Sequence, residues 1–164
     1  MKGKKITSKN LVITNRKLPH WQIGGSWYFI TFRTKRLALS PAARTMVVDA
    51  IMYNFKKRYE LAAATVMPDH VHMIFRPLDK PGGSYCPLPE ILKSVKGFSS
   101  RRIKASVGAA PVWQTESFDR IIRTPEEWRE KYEYVRNNAV KAGIVERPED
   151  YPWLVCGEGF ANDW

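Results

Sequence analysis

The sequence lacks the features that direct a chain into a membrane or an oxidising compartment. No segment approaches the roughly 18 consecutive apolar residues that cross a bilayer, and the basic N-terminus has no apolar signal-peptide core. Only two cysteines, Cys86 and Cys156, occur among the 164 residues. They form no CxxC motif and are too few for a disulfide framework. We therefore expect a reduced, cytoplasmic protein that has no membrane span.

Negative charge is scarce relative to positive charge. The 27 lysines and arginines outnumber the 16 aspartates and glutamates, so the net charge is +11. A small domain this basic usually binds a polyanion. Nucleic acid is the first expectation, an anionic membrane surface the second, and a solubilising charge excess the third. The length suits one domain with a hydrophobic core, and we expect a basic arm over residues 1–20 and a single domain over 21–164.

The chain alternates segments typical of strands and helices. Aromatic and β-branched residues predict strands at 26–33, 60–67, 70–76 and 112–122. Capping residues and helical spacing predict helices from Ser40 to about Tyr59, from Leu88 to about Ala105, and from Thr124 to about Asn138. This order matches an α+β, ferredoxin-like split βαβ fold: an antiparallel four-stranded sheet with two helices on one face. The third strand would be central, and the C-terminal helix, which carries a tyrosine, would reach the open face.

Histidine is also rare, and two of the three histidines lie in the third predicted strand. His70 and His72 are separated by Val71, so their side chains should leave the same face of the strand while Val71 enters the core. Two imidazoles held side by side can begin a divalent metal site. The alternative is a pair of partly exposed histidines that bind no ligand.

The last predicted helix carries Tyr134 and Asn138, which are four residues apart and share a face. On the open face of the sheet they could meet the two histidines. A metal, a tyrosine and a basic surface suggest phosphodiester transesterification, in which the phenol attacks a DNA phosphate that the metal polarises. The alternative for Tyr134 is a packing tyrosine with a surface hydroxyl. Tyr132, on a different face of the helix, serves as the comparison.

Three stretches of the chain, in this order and spacing, resemble the REP-associated tyrosine transposases, a group of the single-tyrosine HUH transposases. They are MPDHVHMIF at 67–75, WQTESFDRIIR at 113–123 and EYVRNNAVKAGIV at 133–145. The resemblance spans roughly residues 17–155. It implies the ferredoxin-like fold and an endonuclease and strand transferase that cuts single-stranded DNA near a hairpin. Cleavage would form a 5′-phosphotyrosine link and leave a free 3′-OH.

Carried over to this sequence, the resemblance implies Tyr134 as the nucleophile and His70, His72 and Asn138 as metal ligands. Asn137 could compete with Asn138, which the spacing favours. Where the family's helix usually ends Asn-Pro-Val-Lys, this chain has Asn-Ala-Val-Lys at 138–141, a departure that bears on how the helix ends. The expected metal is Mg²⁺ or Mn²⁺, with water and phosphate oxygens completing the shell, because two imidazoles and an amide are a softer set than Mg²⁺ usually selects.

Basic side chains are the expected contacts to the phosphate backbone. The alternative for those on the second helix is a merely solvated face. Three tryptophans, Trp21, Trp27 and Trp113, could stack bases, although core packing is the stronger expectation for each. The predicted phosphate contacts are Lys4, Lys5, Arg16, Lys17, Arg33, Lys93, Lys96, Arg101, Arg102 and Lys104.

A rival interpretation is a catalytically silent or domesticated ferredoxin-like nucleic-acid-binding module. Against the binding module, the strands lack the RNP1 pattern of RNA-recognition domains, and binding alone needs no paired histidines. The residues do not separate an active transposase from a domesticated one that still cuts DNA. They also leave open whether the protein is a monomer or a homodimer, and whether Tyr134 meets its own histidines or a partner's.

Overall fold

The computed structural model describes residues 11–15, 19–108 and 111–157, with side chains from residue 23 onward. Within this part of the chain, none of the helices has the length and apolar character needed to cross a bilayer. The elements in chain order are β1 (Leu11–Asn15), β2 (Pro19–Ile23), β3 (Tyr28–Thr34), α1 (Pro41–Asn54), β4 (Tyr59–Val66), β5 (His70–Pro77), β6 (Asp79–Lys80), β7 (Ser84–Tyr85), α2 (Leu88–Val107), β8 (Trp113–Ile121), α3 (Pro125–Arg136), α4 (Asn138–Lys141), one 3₁₀ turn (Pro148–Asp150) and β9 (Leu154–Cys156).

Five strands form one antiparallel sheet in the order β8-β3-β5-β4-β9. The predicted ferredoxin-like arrangement is confirmed, because β3 and β5, the first and third strands of the βαββαβ unit, are the central pair. β9 adds a fifth strand by pairing with residues 63–65 of β4. The histidine-bearing strand β5 is therefore held by hydrogen bonds along both of its edges.

The two faces of the sheet pack against different helices. On one face, Val71 of β5 joins a core with Val47 of α1 and Val95 of α2. On the other face, Val135 of α3 packs with Phe29 of β3. Because side chains alternate along a strand, β5 sends its odd-numbered residues to α1 and α2 and its even-numbered residues towards α3.

Helix α1 is shorter than its sequence pattern predicts, because it ends at Asn54 rather than near Tyr59. The buried Asn54 amide donates to the carbonyl of Ala50 at 2.8 Å. Lys56 then takes a left-handed conformation with φ of 60°, which reverses the chain. Tyr59 is consequently the first residue of β4.

Helix α3 also ends early, at Arg136 instead of about Asn138. The Asn137 side-chain amide donates to the Glu133 carbonyl at 2.9 Å, the same oxygen that accepts the Asn137 backbone N–H. Such local bonding by asparagine competes with the regular helical ladder. A second, four-residue helix, α4, starts at Asn138.

Two small hairpins were not expected from the sequence. β1 and β2 pair from Leu11↔Ile23 to Asn15↔Pro19, and so overlap the end of the expected basic arm. β1 begins with a continuous apolar run, LVI at 11–13, instead of an alternating pattern, and it lies in a polar, basic segment, so no strand was predicted there. β6 and β7 form the second hairpin, between the third predicted strand and the second predicted helix.

The side chain of Trp128 attaches α3 to the sheet. It is buried, meets Trp27 edge-on with ring centroids 6.1 Å apart, and stacks on Tyr132 at 5.0 Å. Replacing it with alanine should lower the free energy of unfolding by about 3–5 kcal/mol, the usual cost of removing a buried aromatic ring. Chemical denaturation measures this change.

The matched control is Trp128→Phe, which keeps an aromatic ring in the same place. The buried Trp128 Nε1 has no hydrogen-bond partner among the described residues, so the substitution removes no bond there. We expect it to cost less than Trp128→Ala, because the cavity that it leaves is smaller. Equal losses for the two variants would contradict this account of how α3 is held.

Candidate active site on the open face of the sheet

The two histidines of β5 stand side by side on the face that α3 partly covers. Their ring centroids are 4.6 Å apart, while Val71 between them is fully buried on the other face. In the sheet register, His70 lies opposite Arg33 and His72 opposite Thr31. The alternation of the strand therefore sets the distance between the imidazoles, and the neighbouring strands hold it.

Each imidazole makes a hydrogen bond through its Nδ1 atom. His72 Nδ1 is 2.7 Å from Thr31 Oγ1, and His70 Nδ1 is 2.6 Å from Asp69 Oδ1. A proton on Nδ1 that is shared with such an oxygen leaves a lone pair on Nε2. This is the arrangement by which proteins orient metal-binding histidines.

The electrostatic surroundings keep His72 neutral. Burial, followed by the charges of His70 and Arg33, lowers the pKa of His72 to about 3. Phe29 stacks on its ring at 5.5 Å with an interplanar angle of 23°. At neutral pH His72 is therefore an uncharged, well-fixed imidazole, the form in which histidine binds metals.

The third donor comes from α4. Asn138 Oδ1 lies 3.3 Å from His70 Nε2, the imidazole nitrogen that does not contact Asp69. Once Nε2 gives up its proton, this nitrogen and the amide oxygen could bind one cation together. Asn137, by contrast, donates to the carbonyl and the carboxylate of Glu133 at 2.9 and 2.8 Å and is turned away from the histidines.

This donor set fits a divalent cation that completes its shell with water or substrate oxygens. No group of three or more His, Cys, Asp and Glu side chains in the described ranges could hold a metal ion. A metal at this position would consequently depend on the amide of Asn138 as its third protein ligand.

Tyr134 lies on α3 one turn before Asn138. Its ring centroid is 5.1 Å from that of His72 and 5.9 Å from that of Phe29. The side chain is 38% exposed, and Lys141 Nζ lies 5.3 Å from the ring centroid. A phenol that borders the His72 imidazole and still meets solvent can reach a bound substrate.

The structure therefore brings His70, His72, Tyr134 and Asn138 together within one chain. Tyr132, two residues before Tyr134, stacks on Trp128 instead and does not face the histidines. The position of this helix follows from the Thr124 cap and from the apolar residues that α3 buries against the sheet.

The expected phosphate contacts do not form one surface. Arg33 borders the site, with Nη1 3.6 Å from Asp69 Oδ2, but α2 packs on the opposite face of the sheet. Lys96 reaches back to β8, where its Nζ is 3.1 Å from Ser117 Oγ. Arg102 pairs with Asp49 at 2.7 Å. The remaining predicted contacts on α2 are Lys93, Arg101 and Lys104, and Lys4, Lys5, Arg16 and Lys17 lie outside the described residues.

Two of the three tryptophans considered for base stacking are buried in the core. Trp27 and Trp113 are 2% and 7% exposed, and the Trp113 indole donates to Ser99 Oγ at 3.0 Å. The side chain of Trp21 lies outside the described part. Neither buried indole presents a face to a nucleobase.

Three residues that the sequence did not single out complete the site. Thr31 and Phe29 orient His72, and Asp69 orients His70. Asp69 could have been found, because it directly precedes the histidine pair. Thr31 and Phe29 could not, because their contact with His72 depends on the pairing register of β3 with β5.

Comparison with known proteins agrees with the resemblance in the sequence. No family model matches the chain. A curated "REP-associated tyrosine transposase" of Escherichia coli is 28% identical over 138 residues, which cover 79% of this chain and 75% of that protein. A Haemophilus influenzae protein provisionally given the same name is 25% identical over 120 residues, or 65% and 66% of the two chains.

Among solved structures, one described as a REP-associated tyrosine transposase bound to a REP hairpin superposes with a TM-score of 0.67. It is 24% identical and covers 82% of this chain and 79% of its own, and this likeness establishes the shared fold. Together, the relatives and the fold confirm the resemblance to the REP-associated tyrosine transposases.

Proposed function

We propose that the protein is a metal-dependent endonuclease and strand transferase of the transposase type, which cuts single-stranded DNA near hairpins through a 5′-phosphotyrosine intermediate. The observation that carries the proposal is the meeting of Tyr134 with His70, His72 and Asn138 on one rigid sheet face. The names of the curated relatives and the REP hairpin bound to the structural neighbour support the same chemistry.

The reaction would exchange one phosphodiester for another. Tyr134 Oη attacks the phosphorus, the P–O3′ bond breaks, and the 5′ phosphate stays on the tyrosine. The phenolic proton leaves through solvent, and the departing 3′ oxygen takes up a proton to become a 3′-OH. Attack by another 3′-OH on the phosphotyrosine reverses these steps and joins two strands, so no energy source beyond the covalent link is needed.

His70, His72 and Asn138 would hold Mg²⁺ or Mn²⁺. Such an ion polarises the scissile phosphate and offsets the charge that develops on it. Thr31 and Asp69 contact the Nδ1 atoms of the two histidines and so leave the Nε2 atoms for the ion, as hydrogen-bond partners of metal-binding histidines commonly do. The four side chains meet within one chain, so we expect Tyr134 to act with the histidines of its own chain. The protein would act on DNA in the cytoplasm as a monomer or a homodimer.

The charges favour a DNA path around the edge of the sheet. Arg33 borders the site, whereas the cations of α2 belong to the opposite face, and Lys96 bridges from α2 to Ser117 on the edge strand β8. A DNA strand that leaves the site across β8 would pass from Arg33 to the cations of α2. Phosphate contacts of this kind supply affinity that falls with salt.

A denaturing gel tests the proposal. The protein is incubated with labelled hairpin DNA from the sequence flanking its own gene, with Mn²⁺ or with EDTA. A protein-linked band that needs Mn²⁺ is expected. Tight binding without an adduct in Mg²⁺ or Mn²⁺, on several flanking hairpins, would favour the silent binding module instead.

A further inference from the structure

An exposed aromatic ring lies beside the proposed catalytic centre and has no part in the chemistry described so far. Phe118 belongs to β8, the strand at one edge of the sheet, and is 57% exposed. It pairs in register with Thr31, the residue that orients His72. Its ring meets that of Phe29 edge-on at a centroid distance of 6.3 Å.

The position of Phe118 is unusual for its strand. Arg120, two residues after it on the same face, is charged and exposed, as expected for the solvent side of an edge strand. Burying a phenylalanine would stabilise a domain by roughly 1.5–3 kcal/mol, and here most of the ring remains in water. Proteins that bind single-stranded nucleic acids use exposed aromatic side chains as platforms on which bases stack.

A single ring separates Phe118 from the nucleophile, since Phe29 contacts both Phe118 and Tyr134. Cations flank this row of rings. Lys131 Nζ lies 5.7 Å from the Phe29 ring centroid, and Arg33 follows Thr31 on the same face of β3. An aromatic ring bordered by cations is the combination that holds a base and its phosphates in single-strand binding proteins.

We propose that Phe118 stacks on the nucleobase next to the scissile phosphate and so sets which phosphate meets Tyr134. This inference rests on the proposed function, because it assumes a single-stranded nucleic acid at the site. A single strand has no duplex geometry to fix its register. Stacking on a ring beside the reaction centre supplies that register and tolerates any base, because every base has a flat aromatic face.

The test compares the DNA affinities of two proteins for intact and abasic DNA. EDTA is present, so that no DNA strand is cut. Wild type and Phe118→Ala are titrated with a flanking hairpin that carries a single-stranded extension, using fluorescence anisotropy. A second set of strands carries one abasic nucleotide at each successive position of the extension. Phe118→Ala should weaken binding to the intact strand about 5- to 100-fold, the loss typical of one stacked base.

The abasic strands identify the contact. At one position, the missing base should weaken wild-type binding and leave Phe118→Ala unchanged, so that the two proteins bind that strand equally. Phe118→Trp should bind like wild type. The matched control is Tyr53→Ala, an aromatic side chain of similar exposure, 56%, on α1 at the opposite face, and it should show no position-dependent loss.

Each other result overturns the inference. Equal binding by Phe118→Ala and wild type excludes a stacking role. A loss that is the same on every abasic strand assigns Phe118 to folding or to general affinity, and a change from dimer to monomer in light scattering assigns it to self-association. Because these titrations measure binding alone, they separate failure of this inference from failure of the cleavage proposal, which the adduct gel reports.

Discussion

A Tyr134→Phe protein is expected to bind flanking hairpin DNA like wild type and to form no covalent adduct. The substitution removes only the attacking oxygen. Loss of a nucleophile lowers turnover by about 10⁴-fold or more. Since the side chain is 38% exposed, the free energy of unfolding should change by no more than about 0.5 kcal/mol. Adduct formation on a denaturing gel, anisotropy and chemical denaturation measure the three quantities.

The matched control is Tyr132→Phe, which removes a phenolic hydroxyl from the same helix at a position that faces Trp128 instead of the histidines. This variant should keep the adduct. Cutting by Tyr134→Phe at the wild-type rate, or loss of the adduct only in Tyr132→Phe, would transfer the nucleophile role away from Tyr134. Loss of DNA binding in Tyr134→Phe would make the residue a binding contact rather than the attacking group.

The parts of this molecule that follow from local rules were predictable from the sequence. Alternation along one strand puts His70 and His72 on one face, and helical spacing over residues 125–136 turns Tyr132 and Tyr134 to different faces of α3. The order of strands and helices, together with the usual topology of that order, makes the histidine strand central. Each inference needs only neighbouring residues and one topological rule, and the strand order confirms the last of them.

The remaining features depend on contacts between distant residues. Thr31 reaches His72, and Phe118 reaches Phe29, only because β3 pairs with β5 and β8 in one particular register. A shift by one residue would turn each side chain to the other face. No periodicity in a single segment contains that information.

The break between α3 and α4 is a further case, and it bears on the site. Asn137 ends α3 by bonding back to Glu133, and the next residue, Asn138, faces His70. The family's usual proline is replaced here by Ala139, which is buried against Met67 and Tyr151. The chain thus ends α3 with an asparagine, and the buried alanine anchors the following turn.

Removing one proposed metal ligand should abolish adduct formation while leaving the fold intact. His70→Ala and Asn138→Ala each leave two of the three proposed ligands. Losing a residue that only hydrogen-bonds to a ligand typically costs about 10- to 100-fold in metal affinity. We therefore expect loss of a ligand itself to lower the Mn²⁺ affinity by more than about 100-fold. Titration of Mn²⁺ followed by electron paramagnetic resonance measures binding directly, without any need for cleavage. Circular dichroism verifies that each variant is folded.

Two further variants show whether the loss of Mn²⁺ affinity comes from removing a ligand or from changing any side chain near the site. Thr31→Val preserves the shape of the side chain but removes the oxygen that orients His72, so its Mn²⁺ affinity should fall only about 10- to 100-fold. Asn137→Ala removes a neighbouring amide that bonds to Glu133 and should bind Mn²⁺ like wild type. If Asn137→Ala lost the ion and Asn138→Ala kept it, the ligand set would have to be reassigned. If all four variants bound Mn²⁺ like wild type, the paired imidazoles would not form a metal site. A protein that still made the phosphotyrosine adduct would then have to stabilise the phosphate with the charges of Arg33, Lys131 and Lys141.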